Sequence, residues 1–302
     1  MDYHYIYKIL EIYLNEDILE LRICSRLTWK NVVYYCKTNK SEYAIKIFKP
    51  IEDIEDRFEI EQYILKNGKK VFNIKTPTLI YECEYNKCKI LIMEWINGKS
   101  IKKCIDETGL TNKNIQLLEK YIKDMEEIWN SNNSEIVEIL NLNKKNGIST
   151  IKNKIYVEPE NVFDFCSKIL KVSLAKIESS YYKILDNNRI SVNNLINSDI
   201  SLHEVILKGK NHYWIDFENF TLGNVNNDLA GIFYSVSNSI FKQKDEISKL
   251  LNVVSCNSYY NKETFVFYLI ERVFSAYYLD YKNINSEEIN FYINFFNNVL
   301  IK

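Results

Sequence analysis

The chain has 302 residues, enough to bury a large core and to form two lobes. Lys and Arg total 39 against 40 Asp and Glu, a near-neutral balance that gives no basis for nucleic acid or an anionic membrane as partner. Seven cysteines, an odd number with no C-x-x-C pair, argue for free thiols in a reducing, cytoplasmic setting; Cys83 and Cys88 flank a turn and are the one pair placed to approach each other.

Residues 3–14 carry apolar side chains at helical spacing and lack the basic-then-apolar order of a signal peptide, so they read as an amphipathic helix. No apolar run approaches the ~20 residues that span a bilayer. Strands are expected near 18–26, 31–38 and 42–49. The third contains Tyr43-Ala44-Ile45-Lys46-Ile47-Phe48, whose lysine, taken alone, is an ordinary solvent-facing strand residue. Residues 56–67, DRFEIEQYILKN, read as a helix. Glu61 precedes Ile64 and Leu65 by three and four positions and shares their packing face, with Glu59 as its competitor. Two apolar runs split by Asn86-Lys87 predict a hairpin over 79–95. It leads into Met93-Glu94-Trp95-Ile96-Asn97-Gly98-Lys99-Ser100-Ile101, and the lobe boundary is expected near Ile96. Beyond it the pattern turns helical. Residues 112–130 follow Thr111 as a cap, 162–185 read as a second long helix, and the chain after Asp228 is mainly helical.

Two acids stand out in the stretch from Asn197 to Asp228. Asp199 opens a polar loop before the apolar run Val205-Ile206-Leu207; a Lys-Gly-Lys-Asn turn follows, and Asp216 ends the strand Tyr213-Trp214-Ile215. Strand interiors disfavour aspartate, so Asp216 calls for a compensating cation. Phosphoryl transfer uses such a pair, one carboxylate to orient the acceptor hydroxyl and one to hold the magnesium that bridges the phosphates. A metal-dependent hydrolase also uses paired acids, but leaves Lys46 and the Glu94–Ile96 segment without a purpose. Asp228, before Leu229-Ala230, is assigned no chemistry, and His203 reads as a solvated loop residue.

Lysine strand, acidic helix, hairpin, M-E-W-I-N-G-K-S-I, aspartate loop and I-D-F-E-N occur in an order and spacing that resembles the aminoglycoside phosphotransferase and choline kinase family over roughly residues 19–235. The resemblance implies an α+β, bilobal, protein-kinase-like fold. Its N-lobe, residues 1–95, is a small antiparallel sheet with one inserted helix that binds nucleotide; its C-lobe, residues 96–302, is larger, mainly helical, and holds the catalytic loop, metal site and acceptor pocket. It also implies roles. Lys46 grips the α- and β-phosphates and is held by Glu61; backbone groups of Glu94, Trp95 and Ile96 bond the purine; Asp199 is the general base; Asp216 and Glu204 bind Mg2+.

The departures are as specific as the matches. The family pattern H-x-D-x-x-x-x-N reads Asn197-Ser198-Asp199-Ile200-Ser201-Leu202-His203-Glu204 here, so Asn197 stands for the loop-bracing histidine and Glu204 for the metal-binding amide. Glutamate is a hard oxygen donor suited to magnesium. The phosphate-covering turn, residues 25–31, contains no glycine; Ser25, Thr28 and Asn31 are its candidate phosphate contacts. The expected function is transfer of the terminal phosphoryl group of ATP or GTP to a hydroxyl of a small molecule by a monomer or homodimer. The alternative is a degenerate kinase-like protein that binds nucleotide or a ligand without efficient catalysis.

Overall fold

A computed structural model of the protein describes residues 3–24, 31–50, 54–131, 138, 157–186, 190, 194–283 and 285–300. The chain divides into two compact units. The first holds the described residues of Met1–Lys99, Glu138 and Val205–Asn219, and the second those of Ser100–Asn132, Asn143–Glu204 and Phe220–Lys302. The division is therefore not a single cut near Ile96, because one hairpin from the later sequence belongs to the first unit.

In the first unit α1 (Tyr3–Leu14) precedes β1 (Ile18–Ile23), β2 (Asn31–Thr38) and β3 (Glu42–Phe48); α2 (Ile54–Phe72) is inserted before β4 (Leu79–Tyr85) and β5 (Cys88–Glu94). The five strands form one antiparallel sheet in the order β1-β2-β3-β5-β4. Strand side chains alternate between faces. Ile45 and Ile47 join Ile6, Ile9 and Leu10 of α1 in a fully buried cluster, which sends the intervening Lys46 to the other face. The β4–β5 turn places Asn86 and Lys87 at φ 48° and 63°, the left-handed values that suit the twist of a two-residue hairpin. Cys83 pairs with Ile90 and Cys88 with Tyr85 across that hairpin, so the two are not opposed, and all seven cysteines are free.

Strand β6 (Lys99–Ser100) leads into α3 (Ile101–Thr108) and α4 (Asn112–Trp129), whose N-cap Thr111 accepts a hydrogen bond from the Asn114 N–H. Residues 162–185 are not one helix. They fall in α5 (Pro159–Leu170) and α6 (Ala175–Asp186), separated where Lys171 takes the left-handed conformation at φ 56° and Leu174 is buried. The apolar spacing runs on through the break because Leu174 still faces the core, so periodicity could not locate it. Strand β7 (Asn194–Asn197) pairs antiparallel with β10 (Phe220–Gly223), and between them in sequence lie β8 (Val205–Lys208) and β9 (Asn211–Trp214). The second unit is completed by α7 (Val225–Ile240), α8 (Lys244–Ser255), α9 (Lys262–Asp280) and α10 (Ser286–Leu300). Helix α9 buries residues around its whole circumference, Phe265 through Ile270 at 1% exposure or less, as expected of a central core helix. Tyr268 and Tyr277, from the tyrosine-rich segment, are core residues.

The β8–β9 hairpin meets the rest of the first unit at two points. The Trp214 N–H donates to the Lys75 carbonyl at 2.8 Å. At the other, a Cβ on Gly98 would lie 2.1 Å from the Leu207 carbonyl oxygen, so the approach requires glycine. Among the described residues no helix is long and apolar enough to cross a membrane.

Candidate active site

The β8–β9 hairpin delivers Asp216 to the sheet. The strand expected to run to Asp216 ends instead at Trp214, and Asp216 adopts φ 67°, a left-handed conformation that turns the chain out of the extended geometry. Its carboxylate meets Lys46: the ammonium lies 2.5 Å from Asp216 Oδ1, 2.5 Å from Glu61 Oε2 and 3.0 Å from Glu218 Oε2. Helix α2 supplies Glu61 on the same face as the buried Phe58, Ile64 and Leu65, while Glu59 is only partly buried. Lys46 is 3% exposed and Glu61 1%, whereas the Asp216 side chain keeps 43% of its surface open.

Three carboxylates therefore share one ammonium. Burial alone would depress the Lys46 pKa, but the charges of Asp216, Glu61 and Glu218 outweigh it and hold the ammonium well above its ordinary value. Glu61 is pushed the other way from a simple ion pair, up to about 8, because burial and the neighbouring Asp216 and Glu218 charges exceed the pull of Lys46. Burial is the largest cause of the Glu61 shift, and an excess of negative over positive charge around Lys46 contributes to both. One oxygen from each of Glu61, Asp216 and Glu218 lies within 4.8 Å of the other two, a set of hard donors that fits a small divalent cation.

Glu218 is the residue that sequence reasoning missed. It is 7% exposed, accepts a 2.5 Å hydrogen bond from Asn31 Nδ2, and stands 3.6 Å from Arg57 of α2. Arg57 also donates to Asn219 Oδ1 at 2.8 Å. The signal was present in the I-D-F-E-N motif, which sets a second acid two positions after Asp216. Asn31, the candidate phosphate contact, is the first residue of β2, paired with Phe48. Ser25 and Thr28 lie outside the described residues.

The segment Glu94–Ile96 has one donor to spare. The Glu94 N–H bonds to the Thr78 carbonyl at 2.9 Å and the Trp95 N–H to the Glu42 carbonyl at 3.1 Å. The Ile96 N–H has no acceptor among the described residues. The Trp95 ring packs edge-on against Tyr35 with centroids 4.9 Å apart, and the Glu94 carboxylate accepts from Thr78 and faces Lys208 of the hairpin.

Asp199 and Glu204 belong to the second unit. Asp199 is exposed in the loop after β7, whose conformation is held from beneath by buried groups. Asp228 Oδ2 accepts the Asn197 N–H at 3.0 Å and the Trp129 indole N–H at 2.9 Å, and Arg272 of α9 donates to the Ser198 carbonyl at 3.0 Å. Gly231 of α7 admits the loop, because a Cβ there would lie 2.2 Å from an Ile200 methyl. Asp228 is thus a structural anchor. His203 is an exposed residue overall, and partial burial followed by the Lys102 charge lowers its pKa. Glu204 ends a 3-10 turn, is 8% exposed, and its Oε2 accepts from Asn197 Nδ2 at 2.8 Å.

No protein-family model matches the chain, and no curated protein matches it in sequence. Solved structures do. The spectinomycin phosphotransferase APH(9)-Ia, in complex with ADP and spectinomycin, superposes with a TM-score of 0.67 at 16% identity, covering 100% of this chain and 97% of that one. A GDP and kanamycin complex of APH(2″)-IIIa gives 0.62 at 13% identity, with coverage of 99% and 98%. The choline kinase LicA from Streptococcus pneumoniae gives 0.52 at 16% identity, with coverage of 98% and 99%. From end to end, this chain has the bilobal α+β fold of the aminoglycoside phosphotransferases and choline kinase.

Proposed function

We propose that the protein transfers the terminal phosphoryl group of ATP or GTP to a hydroxyl of a small molecule. The observation that carries this reading is the buried Lys46–Glu61 pair meeting Asp216 in a chain with the fold of nucleotide-dependent phosphotransferases. Catalysis of phosphoryl transfer is mainly positioning and charge neutralisation, and this site concentrates charge.

Lys46 binds the α- and β-phosphates while Glu61 and Glu218 keep its chain extended. The Ile96 N–H, and the carbonyls beside it, are the groups that read the purine edge. Asp216 is the principal magnesium ligand, and Glu204 is a further oxygen donor. Bound magnesium supplies the positive charge that the three-carboxylate pocket lacks and neutralises phosphate oxygens. Asp199, exposed on a braced loop, accepts a hydrogen bond from the acceptor hydroxyl, orients its oxygen for in-line attack and takes its proton. The acceptor is a hydroxyl compound of the size of an aminoglycoside, choline or ethanolamine, or a sugar; the neighbours with aminoglycosides and the choline kinase support that class.

The test is nucleotide binding with and without magnesium, followed by nucleotide consumption against a panel of aminoglycosides, choline, ethanolamine and sugars. Magnesium-dependent binding with turnover on one class supports the reading. No binding of ATP or GTP at millimolar concentration overturns it.

A further inference from the structure

The loop that carries Asp199 departs from the family pattern at both of its ends, and the two departures touch. Asn197 is 2% exposed and Glu204 is 8% exposed. The Asn197 carboxamide is used in both directions: Nδ2 donates to Glu204 Oε2 at 2.8 Å, and Oδ1 accepts the Asp199 backbone N–H at 3.3 Å. Its main chain is also committed, the N–H to Asp228 at 3.0 Å and the carbonyl to the Ile200 N–H at 3.1 Å. One side chain thus links the backbone of residue 199 to the carboxylate at the far end of the loop.

We infer that Asn197 and Glu204 are a single brace that fixes the Asp199 loop, so that the asparagine for histidine and the glutamate for asparagine are one compensated exchange. The amide of the family pattern has changed ends. A buried carboxylate without a partner is costly, and a hydrogen bond to a charged acceptor is among the stronger ones. The amide at 197 satisfies Glu204 Oε2, and the carboxylate at 204 in turn gives that buried amide its acceptor. Beyond the oxygen-donor role proposed for it, Glu204 acts as a positioning residue through Asn197, whose amide engages Oε2. The inference rests on the proposed function only in naming what the Asp199 loop is for.

A double-mutant cycle tests it without recourse to turnover. Asn197→Leu and Glu204→Leu each remove one partner at similar size, and the double variant removes both. Two quantities are read on each protein: the urea unfolding equilibrium, and hydrogen exchange of the Asp199 amide against that of Leu118 in the core of α4. The single variants are expected to lose stability non-additively, with a coupling of about tenfold or more in the unfolding constant, equivalent to about 1.4 kcal/mol. The Asp199 amide is expected to exchange about tenfold faster in both single variants, beyond any change at Leu118. Glu204→Gln, which keeps an acceptor oxygen, is expected to retain most of the protection.

Additive losses overturn the brace. Coupled stability with unchanged Asp199 protection overturns the positioning role and leaves only a structural contact. Failure of Glu204→Gln to retain protection, while the Leu variants are coupled, means that charge and not the amide bond holds the loop, which also overturns it. If the wild type shows no phosphotransfer, the proposed function fails, yet these measurements still decide the brace. Should Glu204→Leu fail to fold, the cycle is completed with Glu204→Met and Asn197→Leu. As a second check, Asn197→His with Glu204→Asn should restore the protection that Asn197→His alone loses.

Discussion

The two halves of the candidate chemistry are held by different forces. Around Lys46, position is set by charge: three carboxylates converge on one buried ammonium at 2.5–3.0 Å, and the pocket is left with an excess of negative charge. Around Asp199, position is set by directional hydrogen bonds that engage the loop backbone, Arg272 donating to the Ser198 carbonyl and the Asp228 carboxylate accepting the Asn197 N–H, while the acid itself is exposed. A charge-built site is sensitive to pH and cations. A hydrogen-bonded loop is sensitive to the shape and donor pattern of its braces. The difference teaches where each kind of perturbation should act.

The sharpest break is Lys46→Met. It leaves Glu61 and Glu218 buried without their cation, and losing one partner of a buried pair costs about 3–5 kcal/mol. Thermal unfolding should show the loss in the absence of ligand, and nucleotide binding should disappear. Retained stability would mean that the carboxylates take up protons at no cost, and the charge-built description would fail.

Asp199→Asn should do the opposite. The exposed acid contributes little to folding, so stability and nucleotide affinity should stay near wild type, while turnover falls by about a hundred- to ten-thousandfold, the usual contribution of a general base. Asp216→Asn should instead weaken the magnesium-dependent part of nucleotide binding. Equal turnover in wild type and Asp199→Asn would remove the base assignment.

The pH dependence separates the two regions next. The folded-state pKa of Glu61 is raised to about 8 from an ordinary value of 4.5, so the folded state holds a proton that the unfolded state has lost between those limits. Its contribution to stability is present below pH 4.5 and is lost as pH rises toward 8. Lys46, raised above its ordinary 10.5, acts in the same direction at higher pH: its contribution is present below 10.5 and lost as pH climbs through the folded value. Urea midpoints of the free protein should therefore fall between pH 5 and 8. Glu61→Gln should flatten that slope, and millimolar magnesium should restore stability at pH 8. A slope unchanged by Glu61→Gln would place its origin elsewhere.

The smallest effect is expected at Arg57→Ala. Its guanidinium is partly exposed and stands 3.6 Å from Glu218, so its loss should cost under about 1 kcal/mol, measured by urea unfolding. The charge should nevertheless matter more than the side chain, and Arg57→Lys should recover most of the loss. A loss of several kcal/mol would make Arg57 a principal counter-ion of the cluster.

Local pattern in the sequence determined the sheet, its alternation and its turns. The period of two that buries Ile45 and Ile47 fixed which way Lys46 points, and the Asn86-Lys87 turn fixed the hairpin. These are short-range consequences of strand geometry and turn conformation, legible one segment at a time. Helical spacing likewise put Glu61 on the packing face, though it could not rank it above Glu59. What only the tertiary structure decided involves partners distant in sequence. Lys46 meets Asp216 across 170 residues and Asn31 meets Glu218 across 187. The capture of the β8–β9 hairpin by Gly98 and Lys75, the third carboxylate at Lys46, and the closing of the Asp199 loop by Asn197 and Glu204 depend on which side chains arrive at the same point. Periodicity carries no record of that meeting. Burial, charge balance and hydrogen-bond satisfaction arise only once the chain has folded, and they selected these partners.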